Sequence, residues 1–238
     1  MSQPLEGQTA LVTGASRGIG RAVAQALVDA GCWVGIVARG EAELRAAATE
    51  IGGHAIPADV SEPAAVHALM GYVSELLDDA PDLVINAAGS FALAPFTATD
   101  PDLFDAQLSA NLRAPFLVSR AFLPDMLERG SGQLVHIGSV AGRAPLPGNA
   151  AYAAAKFGLR GMHEVMVQEL RGTGVRATLI EPSATDTSLW DRLDPDARDD
   201  LPSRAEMLRP EAVAEAVLWT ATRPPDVSVS SLALQSSS

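Results

Sequence analysis

The chain has 238 residues, 47% of them hydrophobic, and a formal charge of −12 at pH 7. That length suffices for one large α/β domain, and the negative balance argues against general binding to nucleic acid or an anionic membrane, since both need a positive field. The single cysteine, Cys32, permits no intramolecular disulfide and agrees with a reducing, cytoplasmic setting; the leading MSQPLEGQ lacks the basic flank and apolar run of a secretory signal, and no apolar stretch reaches the about 18 residues of a membrane span.

Short apolar runs recur along the chain. QTALVT (8–13), WVGIVA (33–38), HAIPA (54–58), DLVINA (82–87), GQLVHIG (132–138), VRATLI (175–180) and VSVSSLAL (227–234) each predict a buried strand. Ala- and Leu-rich stretches between them, such as GRAVAQALVDAG and ELRAAATEIG, have helical spacing and close on glycine, and long helices are expected over about 103–129 and 150–171. Alternation of this kind requires right-handed crossovers, so residues 1–238 are read as one domain: a doubly wound parallel sheet of about seven strands with helices on both faces. Ligands of such sheets bind at the carboxyl ends of the strands. No linker or repeat interrupts the chain, and the terminal SSS reads as a frayed end.

The first strand runs into TGASRGIGRAV, where Gly14, Gly18 and Gly20 lead from a strand tip into a helix. Glycines let the backbone approach a pyrophosphate, and the helix N-terminus offers free N–H groups and a positive dipole end. This placement favours a Rossmann-type nucleotide site over a mere tight turn. Residues 14–18 also fit the G-x-S-x-G elbow of a hydrolase, but that chemistry needs an acid and then a histidine late in the chain, and none of His54, His67, His136 and His163 is late enough. The histidines show no ligand pattern either, so no metal is expected.

The second strand ends on Ala38 and Arg39, with no carboxylate before Glu41. An acidic residue at this tip would favour a free ribose hydroxyl, whereas cations accommodate a 2′-phosphate. Arg39, with Arg17 in the glycine turn, therefore favours NADP(H) over NAD(H).

With these motifs in order, and with ADV (58–60), NAAG (86–89), NLRAPF (111–116), GSVAG (138–142), YAAAK (152–156) and EPSATDT (181–187), the chain resembles the short-chain dehydrogenase/reductase family over nearly its whole length. The resemblance implies that Gly14, Ser16, Arg17, Gly18, Ile19 and Gly20 cradle the cofactor, and that Asp59 and Val60 lie beside its adenine. It implies further that Asn86, Ala87, Ala88 and Gly89 support the sheet and line the cofactor, while Pro182 and Thr187 belong to a segment flanking the nicotinamide. Asn111, Ser139, Tyr152 and Lys156 match the family's catalytic four, with Asn111 disturbing its helix to hold a water.

Chemistry supplies reasons for those residue types. Hydride transfer to a carbonyl leaves a developing alkoxide that needs a proton and hydrogen-bond donors. Tyr152 can give the proton and Ser139 can hold the oxygen. Lys156 is the only lysine beside 16 arginines, and it stands four residues, or about one helical turn, from Tyr152. A compact cation there is expected to lower the tyrosine pKa from about 10 toward neutrality, and by resemblance to bind the nicotinamide ribose.

A carbonyl reductase acting on a ketone or aldehyde, or on the corresponding alcohol in reverse, is thus expected. Phe91, Leu146, Leu189 and Trp190 would give an apolar substrate cavity, and the charged stretch 188–207 would be its lid. Ser183 stands where many relatives carry glycine, and the C-terminus lacks a Gly-rich tail, which weakens a 3-oxoacyl-carrier-protein reductase as the specific alternative. A non-enzyme alternative, an NADP(H)-binding redox sensor, is disfavoured by retention of all four catalytic residues. Resemblance also implies a homodimer or homotetramer through the two long helices.

Overall fold

Parallel strands covered on both faces must be apolar on both, and alternate side chains must then feed two separate cores. In the computed structural model, which describes residues 3–237, strand β1 (Thr9–Thr13) sends Leu11 to one core and Ala10 and Val12 to the other. The same division holds in β4 (Leu83–Asn86), where Val84 and Ile85 part, and in β5 (Gly132–Ile137), where Leu134 and Val135 part. The remaining strands are β2 (Trp33–Ala38), β3 (His54–Pro57), β6 (Val175–Pro182) and β7 (Ser231–Leu234). All pairings are parallel, in the order β3-β2-β1-β4-β5-β6-β7. The break in sequence order between β1 and β4 creates the switch point at which such sheets bind ligands.

Helices α1 (Gly18–Asp29), α2 (Glu41–Ile51) and α7 (Pro210–Ala221) cover one face through Leu27, Leu44 and Val213. Helices α3 (Pro63–Leu77) and α5 (Ala114–Arg129) cover the other through Val66, Phe122 and Met126. Helix α6 (Ala150–Glu169) begins beside the tip of β5, its contact with the turn at Val140–Gly142 being close enough that a Cβ on Gly142 would lie 2.9 Å from the Lys156 carbonyl oxygen.

The expected helix over 103–129 is two helices in one. Helix α4 (Pro101–Leu108) passes into a π-helical turn at Ser109–Arg113 before α5 begins. Strand β7 starts at Ser231, later than expected, because Val227 is turned back onto the Pro224 carbonyl. The terminal Ser238 lies outside the described residues. Among the described residues no helix is long and apolar enough to cross a membrane.

Candidate active site

The glycine turn after β1 is shaped by contacts that exclude side chains. Gly14 has φ +67°, and a Cβ there would fall 2.6 Å from the Ala88 Cα; one on Gly20 would strike the Gly14 carbonyl. Two strand tips thus meet backbone to backbone, as a pyrophosphate-binding turn requires. Arg17, which precedes α1, gives the helix no side-chain cap. The first-turn N–H groups therefore remain an anion site at the positive end of the helix. These are features of this chain that fit a dinucleotide.

A cleft of about 350 Å³ opens on this turn. Gly14, Ser16, Arg17, Gly18, Ile19 and Gly20 form its floor. Arg39, Asp59 and Val60 stand at one end, and Ala87, Ala88, Gly89 and Thr187 line its continuation. Arg39 is loosely paired with Asp59 at 3.8 Å, its side chain 78% exposed, while Arg17 is exposed and makes no ion pair among the described residues. Asn86 and Pro182 do not line the cleft. Asn86 is buried and its amide donates to Ser119 Oγ at 3.2 Å, so its side chain serves the core. Pro182 is the buried end of β6, in register with Leu234.

Tyr152 and Lys156 share one face of α6. Lys156 is buried, and its Nζ donates to the Ile137 carbonyl at 2.8 Å while lying 5.6 Å from the Tyr152 ring centroid. Ile137 precedes Gly138 and Ser139, so one ammonium ties the helix to the strand tip that carries the serine. Ser139 Oγ accepts from the Ala141 N–H at 3.1 Å. The expected lowering of the tyrosine pKa is overturned here. Burial pushes the Tyr152 hydroxyl up to about 12, against an opposing hydrogen bond with Ser139. Burial also brings Lys156 down to about 8, which still leaves it mainly protonated near pH 7.

Asn111 falls inside the π-turn, so the disturbed helix is present. Its side chain, however, is bonded within the protein. Nδ2 donates to the Ser90 carbonyl at 2.9 Å and the Gln107 carbonyl at 3.0 Å, and Oδ1 accepts from the Ser90 N–H at 3.3 Å. Gln107, which sequence reasoning missed, donates from Nε2 to Ser90 Oγ at 3.0 Å. Its only advance signal is a position one helical turn before Asn111.

Phe91 meets Tyr152 edge-on, with centroids 4.9 Å apart at 75°, and Trp190 lies 5.0 Å from Phe91 on the other side. Leu189 reaches the cleft wall. Leu146 is 56% exposed and is not brought to the cleft. Residues 188–207 form three short 3-10 turns gathered by Arg204, whose guanidinium pairs with Asp186 and with Asp191 and whose backbone N–H reaches Asp196 at 2.8 Å.

A sequence profile described as short chain dehydrogenase matches residues 8–198. The chain belongs to the short-chain dehydrogenase family. It is 39% identical over 192 residues to a short chain dehydrogenase of Pseudocercospora fijiensis, covering 78% of this chain and 62% of that longer protein. Among solved structures, a metagenomic short-chain oxidoreductase in complex with NADP superposes with TM-score 0.82 at 33% identity, over 97% of both chains. An alcohol dehydrogenase from the archaeon Thermococcus sibiricus, complexed with 5-hydroxy-NADP, gives 0.83 at 27% identity, again over 97% of both.

In this short-chain dehydrogenase the hydrolase alternative has no geometric basis. Ser16 lines the cleft, whereas His136 and His163 are bonded to each other in the core, and among the described residues no histidine is hydrogen-bonded to Ser16. A second missed residue is Glu181, buried at the tip of β6. Its carboxylate accepts from Arg143 Nε and from Arg160 Nη1, both at 2.8 Å. One carboxylate therefore joins the turn after Ser139, the helix of Tyr152 and Lys156, and the strand leading to Pro182.

Proposed function

We propose that this short-chain dehydrogenase interconverts a small ketone or aldehyde and its alcohol, using NADP(H) in preference to NAD(H). The observation that carries the reading is the placement of Tyr152 and Lys156 on one helix face, with Ser139 held beside them from the tip of β5. Bound in the cleft, a dihydronicotinamide would supply the hydride.

The chain's own residues would do the rest. Gly14, Ser16, Arg17, Gly18, Ile19 and Gly20 hold the pyrophosphate, and Thr187 holds the nicotinamide end. Arg17 and Arg39, in a cleft that receives no other arginine, take the 2′-phosphate. Ser139 donates to the carbonyl oxygen, and Tyr152 gives it a proton as charge develops. Burial keeps the Tyr152 hydroxyl high and therefore protonated at pH 7, the state a proton donor to the carbonyl needs, and the Lys156 ammonium, 5.6 Å from the ring, favours the phenolate left once that proton has gone. Phe91, Leu189 and Trp190 form the apolar wall, and 188–207 the cover. A shallow groove lined by Leu108, Leu112, Phe116 and Met162 supports self-association into a homodimer or homotetramer.

The test is oxidation of NADPH and of NADH by the purified protein against aldehydes, ketones, diketones and a 3-oxoacyl thioester. Turnover with NADPH preferred is expected. Cofactor binding without turnover on any of them would favour the sensor reading.

A further inference from the structure

Ser90 is held at every polar atom by two residues of the α4 to α5 segment. Its N–H and carbonyl pair with the Asn111 amide at 3.3 and 2.9 Å, and its hydroxyl receives the Gln107 Nε2–H at 3.0 Å. Gln107 is 3% exposed, and its other amide end accepts from Asn111 Nδ2 at 3.3 Å. A buried amide is costly to leave unpaired, and Gln107 has a partner at each end, so Gln107 fixes the side-chain hydroxyl as Asn111 fixes the backbone.

The next residue is Phe91, whose ring stands edge-on to Tyr152 and flanks Trp190. The only residue between the Gln107 clamp and the ring beside the proton donor is therefore Ser90 itself. Phe91 comes from a loop and Trp190 from a short 3-10 turn, so the wall they make has no strand or helix to stiffen it.

We propose that Gln107 is a positioning residue for substrate selection: through Ser90 it holds Phe91 against Tyr152 and Trp190, fixing an angled aromatic wall that favours aryl carbonyl substrates over small aliphatic ones. Gln107 touches neither substrate nor cofactor, and its effect passes through Phe91. The inference rests on the reductase reading for its kinetics, and on geometry alone for the position of the ring.

The experiment has two arms. Gln107→Met keeps side-chain length and removes both hydrogen bonds; Ser90→Ala removes the same bond from the other partner and guards against a folding defect in the first variant. In a background carrying Trp33→Phe and Trp219→Phe, acrylamide quenching reports on Trp190 alone. Both variants should raise that quenching about twofold. In the kinetic arm, kcat/KM for an aryl aldehyde relative to propanal should fall about tenfold in both variants, with NADPH Kd unchanged in Gln107→Met, and the double variant should fall no further than either single one. Unchanged quenching in both variants overturns the positioning role whatever the kinetics. Changed quenching with an unchanged substrate ratio overturns the selection role. A parent protein that reduces no carbonyl overturns the reductase reading, and the aryl preference with it, while the quenching still decides the position of Phe91.

Discussion

His136 and His163 face each other across the core with their Nδ1 atoms 3.2 Å apart, and the hydrogen bonds around them admit one arrangement of protons. The Ser230 carbonyl requires His163 Nε2 to donate, at 2.8 Å. His163 Nδ1 must then accept from His136 Nδ1, and His136 Nε2 must accept from the Ser119 hydroxyl at 3.0 Å. Both rings are neutral in this pattern. Burial, and then the cost of a second positive charge beside His163 and Lys156, brings His136 down to about 3, and burial lowers His163 as well.

Acid should therefore destabilise the fold before most carboxylates titrate. The unfolded histidine binds a proton below its ordinary value of about 6.5, while the folded one does not, so stability is complete above that pH and declines as pH falls. For His136 alone the loss at pH 5 is about 2 kcal/mol. Urea midpoints at pH 7.5 and pH 5 should separate more in the parent protein than in His136→Asn, where one of the two histidine contributions is gone.

Replacing Tyr152 by phenylalanine should lower carbonyl reduction by at least about 100-fold, the usual worth of a general acid, with little change in NADPH affinity. Stopped-flow turnover and a fluorescence titration of NADPH separate the two effects. In the parent protein the high tyrosine pKa should make reduction nearly flat from pH 6 to 9, since the donor stays protonated, while alcohol oxidation climbs with pH over the same range.

Arg39→Ala should weaken NADPH by about tenfold and leave NADH within about twofold, because a charge-assisted hydrogen bond contributes about 1.5 kcal/mol and only the phosphorylated ribose can receive it. Equal losses for both cofactors, read from paired Kd measurements, would remove the phosphate role.

Glu181→Gln should cost about 2 kcal/mol of stability by chemical denaturation, below the usual penalty for breaking a buried pair because Arg143 and Arg160, 41% and 31% exposed, can still reach water. Since that carboxylate joins the elements bearing Ser139 and Lys156, kcat should fall more than KM rises.

Much of this was readable in advance because the sheet is parallel and covered on both faces. Such strands appear as uninterrupted apolar runs, and the glycine turn, Tyr152 and Lys156 carry their meaning in local spacing. What stayed hidden depends on partners distant along the chain. Gln107 gains its role from Ser90, 17 residues earlier, and Glu181 from Arg143, 38 residues earlier. The rise in the Tyr152 pKa was equally invisible, because burial is a property of the assembled core, whereas the spacing to Lys156 is local and points the other way. The π-turn had only one hint, a poor helix former at Asn111.

That π-turn also makes the region sensitive to length in a way that composition does not capture. Each helical residue advances the side-chain direction by about 100°, and the wide turn at Ser109–Arg113 absorbs one extra residue between α4 and α5. Deleting Ser109 or Ala110, with every remaining side chain preserved, would restore an even helical pitch and leave α4 and α5 in phase, but it would shorten the Gln107-to-Asn111 spacing from four residues to three and turn the two amides apart by about 100°. Gln107 and Asn111 could then no longer converge on Ser90, so within these five positions the residue count is constrained independently of residue identity.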